Sequence, residues 1–283
     1  MDSSYLNIFS FLSTTGIYYY FLKPPLTLDV LNDVDKKKTY NSKMYLNLAI
    51  YMCLILLTQF LCNTRIISST CGGDFLENAK TASIFTFLPW IFIFGVLVVT
   101  LTVYPGFKTA FSDVVGYYWI SGKANEYLID LLVDPDIQNK INADDNLKTP
   151  EQKEAMQTAA DSIIKICGNT SILINQIFTT NFTSYWKILD PLKKDKYKNE
   201  GADSDIKNKI FDLVVVKENV GEFMWYLYTG ILLTSLVQLK MTTKGCTSNP
   251  KTMEANYNKF LAAEANAKQT NDLATSTQYT ITT

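Results

Sequence analysis

The chain has 283 residues, 47% of them hydrophobic, and its 26 basic and 27 acidic side chains leave a net charge of −1. That balance provides no electrostatic footprint for nucleic acid. Histidine is absent, which removes the commonest general base and the commonest zinc ligand.

Residues 3–22 carry no charge, yet Asn7, Ser10, Ser13, Thr14, Thr15 and Gly16 interrupt them. The segment reads as a fourth span or as a helix lying at the bilayer interface on its aromatic residues. It lacks a basic n-region and a small-residue cleavage site, so it does not read as a cleaved signal peptide. Pro24-Pro25 stops it. The connection 23–43 gathers Lys36, Lys37, Lys38 and Lys43 just before Met44–Thr64, an uncharged run that predicts a span over 45–62. The loop 65–80 has only Arg65 and Lys80 as basic residues. The positive-inside rule therefore places 23–43 in the cytoplasm, 65–80 on the far side and 105–222 back on the cytoplasmic face. Lys240, Lys244 and Lys251 fit that orientation poorly if the last apolar run crosses. Cys62 and Cys71 bracket a short loop; they form a disulfide in an oxidising compartment or stay as two thiols. No CxxC spacing occurs, so a metal cluster has no support.

Thr81 to Phe107 is the longest uncharged run, and it predicts a span over 84–104. It ends at Tyr104-Pro105-Gly106-Phe107, with Lys108 placed to reach the headgroups. Ser112 and Asp113 offer a cap for a new helix. Gly116 permits close packing, and Tyr117, Tyr118 and Trp119 form an aromatic patch. The stretch is an elbow that seats a domain on the bilayer.

Residues 105–222 form the main extramembrane domain. Ala124, Tyr127, Leu128, Leu131 and Leu132 recur at helical spacing. Thr149-Pro150-Glu151-Gln152 is a helix entry, followed by Ala155, Ala159, Ile163 and Ile166 on one face. One further helix is expected over Ile174, Ile177, Phe178, Phe182, Tyr185, Trp186 and Leu189, ending at Pro191. Residues 192–209 read as a solvated loop, and Leu213–Val216 as a short strand or helix end. Phe223–Leu239 is a short apolar run with Trp225, Tyr226 and Tyr228 suited to an interfacial belt. The tail, 240–283, is polar, with one weak helix near Met253–Lys268 and a terminal TSTQYTITT of strand-like composition that is either disordered or adds to a partner's sheet.

The expected fold class is mainly α: an integral membrane protein with three transmembrane helices, bounded between two and four, and a mostly helical extramembrane domain. The parts are a membrane region over 1–104, the domain over 105–222, a span over 223–239 and the tail. No P-loop, GxSxG, dinucleotide fingerprint or HExxH occurs. The carboxylate pairs Asp134/Asp136 and Asp144-Asp145 lie in polar loops. The expectation is a protein that is not an enzyme, with no catalytic residue, no cofactor, no metal and no small-molecule substrate.

Residues 104–132, YPGFKTAFSDVVGYYWISGKANEYLIDLL, resemble a segment of virion membrane proteins of large icosahedral (nucleocytoplasmic) DNA viruses of algae and protists. In that pattern a transmembrane run ends in Pro-Gly and is followed by Phe-Ser, a Gly-Tyr pair and an amphipathic helix. The matching residues are Pro105, Gly106, Phe111, Ser112, Gly116 and Tyr117; Asp113 stands where the pattern often has Asn. The resemblance implies a minor capsid protein in the virion's internal membrane, and in a host membrane during assembly, with the lipid bilayer and capsid or other virion proteins as partners. Trp119, Tyr185 and Trp186 are then candidate partner contacts. A small channel or transporter subunit and a subunit of an entry or fusion complex are the alternatives; an oxidised Cys62–Cys71 bridge would favour the latter.

Overall fold

The computed structural model describes residues 3–71, 75–132, 169–197, 200–243, 254 and 257–268. The expectations at 134–166 and for the terminal TSTQYTITT lie outside them. The described residues are almost entirely helical, and none forms a strand; a single isolated bridge joins Leu132 and Lys193. Chain order gives α1 (Ser3–Ile17), α2 (Leu28–Asn32), α3 (Val34–Cys71), α4 (Phe75–Pro89), α5 (Val96–Val103), α6 (Thr109–Phe111), α7 (Tyr117–Leu131), α8 (Thr170–Gln176), α9 (Phe182–Leu189) and α10 (Glu200–Thr243).

Three helical stretches are long and apolar enough to cross a bilayer: Val34–Cys71, Phe75–Val103 and Gly201–Met241. The protein is thus a mainly-α membrane protein with three candidate spans, as the uncharged runs predict. Ile84, Leu88, Phe92, Val96, Val99 and Val103 are all exposed. Their spacing of three or four marks a single apolar stripe suited to lipid. Pro89 interrupts this span, and the helix answers with a π-helical turn over Trp90–Gly95. Such a turn is one way to absorb the missing N–H and the ring clash of an interior proline.

The chain divides into two compact units. The first comprises Met1–Thr14, Cys53–Ile93 and Gly230–Thr283. Its interior joins helices through polar side chains: Asn7 Nδ2 donates to Asn63 Oδ1 at 2.7 Å, and Asn63 Nδ2 donates to Thr86 Oγ1 at 2.8 Å. Gln59 Nε2 donates to the Asn7 carbonyl at 3.0 Å. Among apolar helices such bonds fix which faces meet, because hydrocarbon offers these groups no other partner. Phe11 packs on Trp90 with ring centroids 5.5 Å apart. It also occupies the space beside Gly230, where an added Cβ would lie 2.0 Å from its ring. The helical stretch 257–268 is exposed throughout.

The second unit comprises Thr15–Met52 and Phe94–Thr229. Its largest core cluster is built by α7, α8, α9 and the first third of α10, with Leu128, Leu131, Ile174, Ile210, Phe211 and Val214 all fully buried. The stripe Ala124, Leu128 and Leu131 faces that core, as its spacing predicts. A second cluster stacks Tyr18 on Tyr51 at 4.4 Å and sets Tyr226 against Phe94 at 5.4 Å.

Several expectations are corrected. The helix expected from Ile174 to Leu189 is two helices, because Asn181 intervenes. Its Oδ1 accepts from the Phe178 N–H at 2.7 Å and its Nδ2 donates to the Gln176 carbonyl at 3.0 Å, giving the backbone an alternative to helical pairing. Residues 192–209 are not a solvated loop. Lys193 is only 3% exposed and is held between Asp190 and Asp203, while α10 begins at Glu200. Lys196 and Tyr197 both donate to Asp130, holding its carboxyl below the usual range. Leu213–Val216 lies inside α10, so the division expected at 222/223 falls within one continuous helix.

The Cys62–Cys71 bridge does not form. Cys62 carries a free thiol, as does Cys53, whereas Cys71 is disulfide-bonded elsewhere. The expected loop after Arg65 is helical as far as Cys71. Nine residues of helix separate the two sulfur-bearing positions by ~13 Å, about twice the Cα separation a disulfide allows.

Two outcomes follow from this architecture. Alkaline carbonate should leave the protein in the membrane pellet, and recovery in the supernatant would refute the three spans. After denaturation without reductant, a maleimide should label Cys53 and Cys62 but leave Cys71 unlabelled until reductant is added, as read by peptide mass mapping.

Candidate functional site

The elbow forms a helix crossing. Tyr104 leaves the helical region, Pro105–Lys108 makes a single 3-10 turn, α6 follows, and Ser112–Gly116 is a π-helical turn leading into α7. Proline at the head of the turn lacks the N–H that would otherwise need a partner there. Ser112 and Asp113 do not cap a helix start as expected. Ser112 is fully buried and donates to Asp113 Oδ1 at 3.1 Å, and the helical turns run on through both residues.

These residues instead meet α10 within the second unit. A Cβ added at Gly116 would lie 2.4 Å from the Lys217 carbonyl oxygen. A Cβ added at Gly221 would lie 2.7 Å from Ser112 Cβ and 2.9 Å from the Lys108 carbonyl. Two backbones therefore approach within a distance that only glycine permits, on both sides of the crossing. Phe111 sets its ring edge-on to Trp225 at 5.0 Å, and Trp225 Nε1 donates to the Phe107 carbonyl at 2.8 Å. Tyr117 packs partly buried against the adjoining core. The small residues set the separation of the helices and the aromatic pair closes one end of the crossing.

Charge secures the crossing at two levels. Lys217 is fully buried; its ammonium donates to the Ile174 carbonyl at 2.9 Å and faces Asp113 Oδ1 at 3.4 Å. Asp113 thus occupies its position in the elbow as the counter-charge of a buried lysine. One turn and a half further along α10, the Glu222 carboxylate accepts from two lysines. Lys23 reaches Oε1 at 2.6 Å and Lys108 reaches Oε2 at 2.5 Å. Tyr19 donates to Oε1 at 3.0 Å. Burial pulls the Lys23 ammonium below its ordinary pKa, while Glu222 beside it pulls in the opposite direction. Lys108 was expected to reach outward to lipid headgroups; it turns inward because the buried carboxylate needs it.

A cavity of about 230 Å³ opens beside this triad, lined among others by Tyr18, Tyr40, Lys108, Glu218, Asn219 and Glu222. Glu218 is oriented by Thr179, whose N–H and Oγ1 donate to its two carboxylate oxygens at 2.7 and 2.9 Å. The triad is not visible in the sequence, where Lys23 and Lys108 each follow an apolar run, Glu222 precedes another, and all three look like ordinary flanking charges.

The candidate partner contacts separate on burial. Trp186 is buried in the core and its Nε1 donates to Asp203 at 3.1 Å, so it is withdrawn from any surface. Tyr185 is partly buried and donates to Gln176 Oε1 at 3.0 Å. Trp119 remains, 73% exposed beside Tyr118 at 79%. Comparison with protein-family models, with curated proteins and with solved structures finds no match.

Gly116→Val should destabilise the protein by about 3 kcal/mol, the upper end for overpacking, because a backbone oxygen cannot move aside. Gly122→Ala, where no atom lies within 4 Å of the added methyl, should be neutral or slightly stabilising. Glu222→Gln, which leaves two largely buried ammonium groups without their counter-charge, should cost about 3 kcal/mol. Thermal unfolding in detergent orders these variants, and equal midpoints for Gly116→Val and the parent would dismiss the crossing as a structural device.

Proposed function

We propose that the chain is a structural membrane anchor of a virion, a minor capsid protein that ties an internal lipid membrane to the capsid shell. The reading rests on one observation. The resemblance-bearing residues Phe111, Ser112 and Gly116 are all spent on docking the elbow against α10, at the end of a candidate span. An anchor that transmits position from a bilayer to a shell needs such a rigid exit, since a loose linker would leave the domain free to wander. Tyr118 and Trp119 project from the same elbow, and aromatic residues dominate interface energetics. The reading places the protein in the virion's internal membrane and, during assembly, in a host membrane.

A second reading, a small channel or transporter subunit, is favoured by the Lys23–Glu222–Lys108 triad and the cavity beside it. Ionisable groups at the edge of membrane spans commonly mark ion or substrate pathways. The entry-complex reading, which an exposed domain would also favour, loses the disulfide, since Cys62 is a free thiol.

Crosslinking in intact particles, read by mass spectrometry, separates the two. The anchor predicts crosslinks from exposed lysines near the elbow and its domain, such as Lys123 and Lys187, to shell proteins. Crosslinks confined to membrane neighbours, together with ion conductance from the reconstituted protein alone, would establish transport instead.

A further inference from the structure

The cavity beside Glu222 brings cationic and anionic side chains together where several candidate spans end. Thr102 and Pro105 come to it from the exit of one candidate span, Met44, Tyr45 and Leu48 from the start of another, and Tyr226 from the start of the last apolar run. Residues from three span ends meet there, which sets the cavity at the level of the bilayer interface. Lys23 and Lys108 share one carboxylate, and among the described residues each ammonium gives Glu222 a single short bond of its three available. N–H groups therefore remain on both to meet a phosphate. Two basic and two acidic side chains line the cavity, Lys23 and Lys108 against Glu218 and Glu222, for a formal sum of zero. An anion alone would leave the Glu218 carboxylate opposed, and a cation alone would leave the lysines opposed.

The order of these charges along α10 matters. Glu222, which holds both lysines, lies next to the apolar run beginning at Phe223. Glu218 lies one helical turn, ~6 Å, further from that run. In a phospholipid the phosphate is nearest the hydrocarbon, and the headgroup amine lies beyond it on a two-carbon bridge. From these features we infer that the cavity holds the headgroup of one zwitterionic phospholipid, its phosphate on Lys23 and Lys108 and its amine on Glu218. Tyr40 and Tyr45 line the same cavity, and aromatic rings are favourable neighbours for a cationic amine. At about 230 Å³ the cavity is below the size range of drug-like sites, roughly 300–1,000 Å³, as suits a headgroup whose acyl chains stay in the bilayer.

The experiment is native mass spectrometry of the full chain in detergent, titrated with phosphatidylethanolamine, phosphatidylcholine or phosphatidylglycerol, and with soluble glycerophosphoethanolamine. One zwitterionic lipid should be retained per chain, the anionic lipid about tenfold less, and the soluble headgroup not at all. Glu218→Gln keeps an acceptor for the Thr179 N–H and lets the Thr179 hydroxyl accept from the new amide, but removes the charge. It should erase the preference for zwitterionic lipid, a loss of about tenfold in affinity. Asn219→Trp, which fills the cavity from its wall, should abolish retention while leaving the unfolding midpoint near the parent's. Phosphatidylglycerol bound as tightly as phosphatidylethanolamine would overturn the assignment. So would retention of the soluble headgroup alone, a preference unchanged in Glu218→Gln, or lipid still held by Asn219→Trp.

Discussion

A carboxylate buried at the edge of an apolar helix cannot stand alone, and the second unit is arranged around that constraint. Removing Glu222 from water is tolerable only because two ammonium groups and a phenol hydroxyl converge on it. Lys23 follows the first helix, Lys108 follows a span, and Glu222 precedes the last apolar run. The three segments are distant in the chain, so one neutralisation holds them at a common level. Lys217 and Asp113 repeat the device on the domain side of the crossing.

Electrostatics alone does not set the distance between the helices; small side chains do. Gly116, Gly221 and Ser112 let two backbones touch, and the contact lies where a π-helical turn replaces a regular one. Within a bilayer the hydrophobic effect gives no net pull between apolar helices, so close van der Waals contact and buried polar bonds carry the association. The Asn7–Asn63–Thr86 chain in the first unit follows the same rule. On the domain side the usual water-driven core takes over, with Leu128, Ile174, Phe182 and Phe211 closed from solvent. The molecule thus combines two packing regimes.

The resemblance carried by residues 104–132 acquires a physical meaning from this arrangement. Pro105 stops a span, Phe111 meets Trp225, Ser112 and Gly116 admit α10, and Asp113 answers Lys217. In this structure these residues make a joint between helices. Trp119 keeps its outward face, whereas Trp186, equally aromatic and equally eligible in the sequence, is committed to the core.

Spans were legible in the sequence because crossing a bilayer is a requirement on consecutive residues: an uncharged run of sufficient length suffices. The same holds for the stop at Pro105-Gly106 and for the stripe Ala124, Leu128, Leu131, whose local period already names its buried face. Asn181 hid the break between α8 and α9, since a side chain that pairs with nearby backbone leaves hydrophobic spacing unchanged. The persistence of the helix past Arg65 was equally hidden, and it is what moved Cys62 and Cys71 beyond bridging distance. Above all, the sequence showed Lys23, Lys108 and Glu222 as three unrelated flanking charges. Their joint meaning depends on distances between residues about 85 to 200 positions apart, which pairwise Coulomb and hydrogen-bond energies select only once the helices have packed.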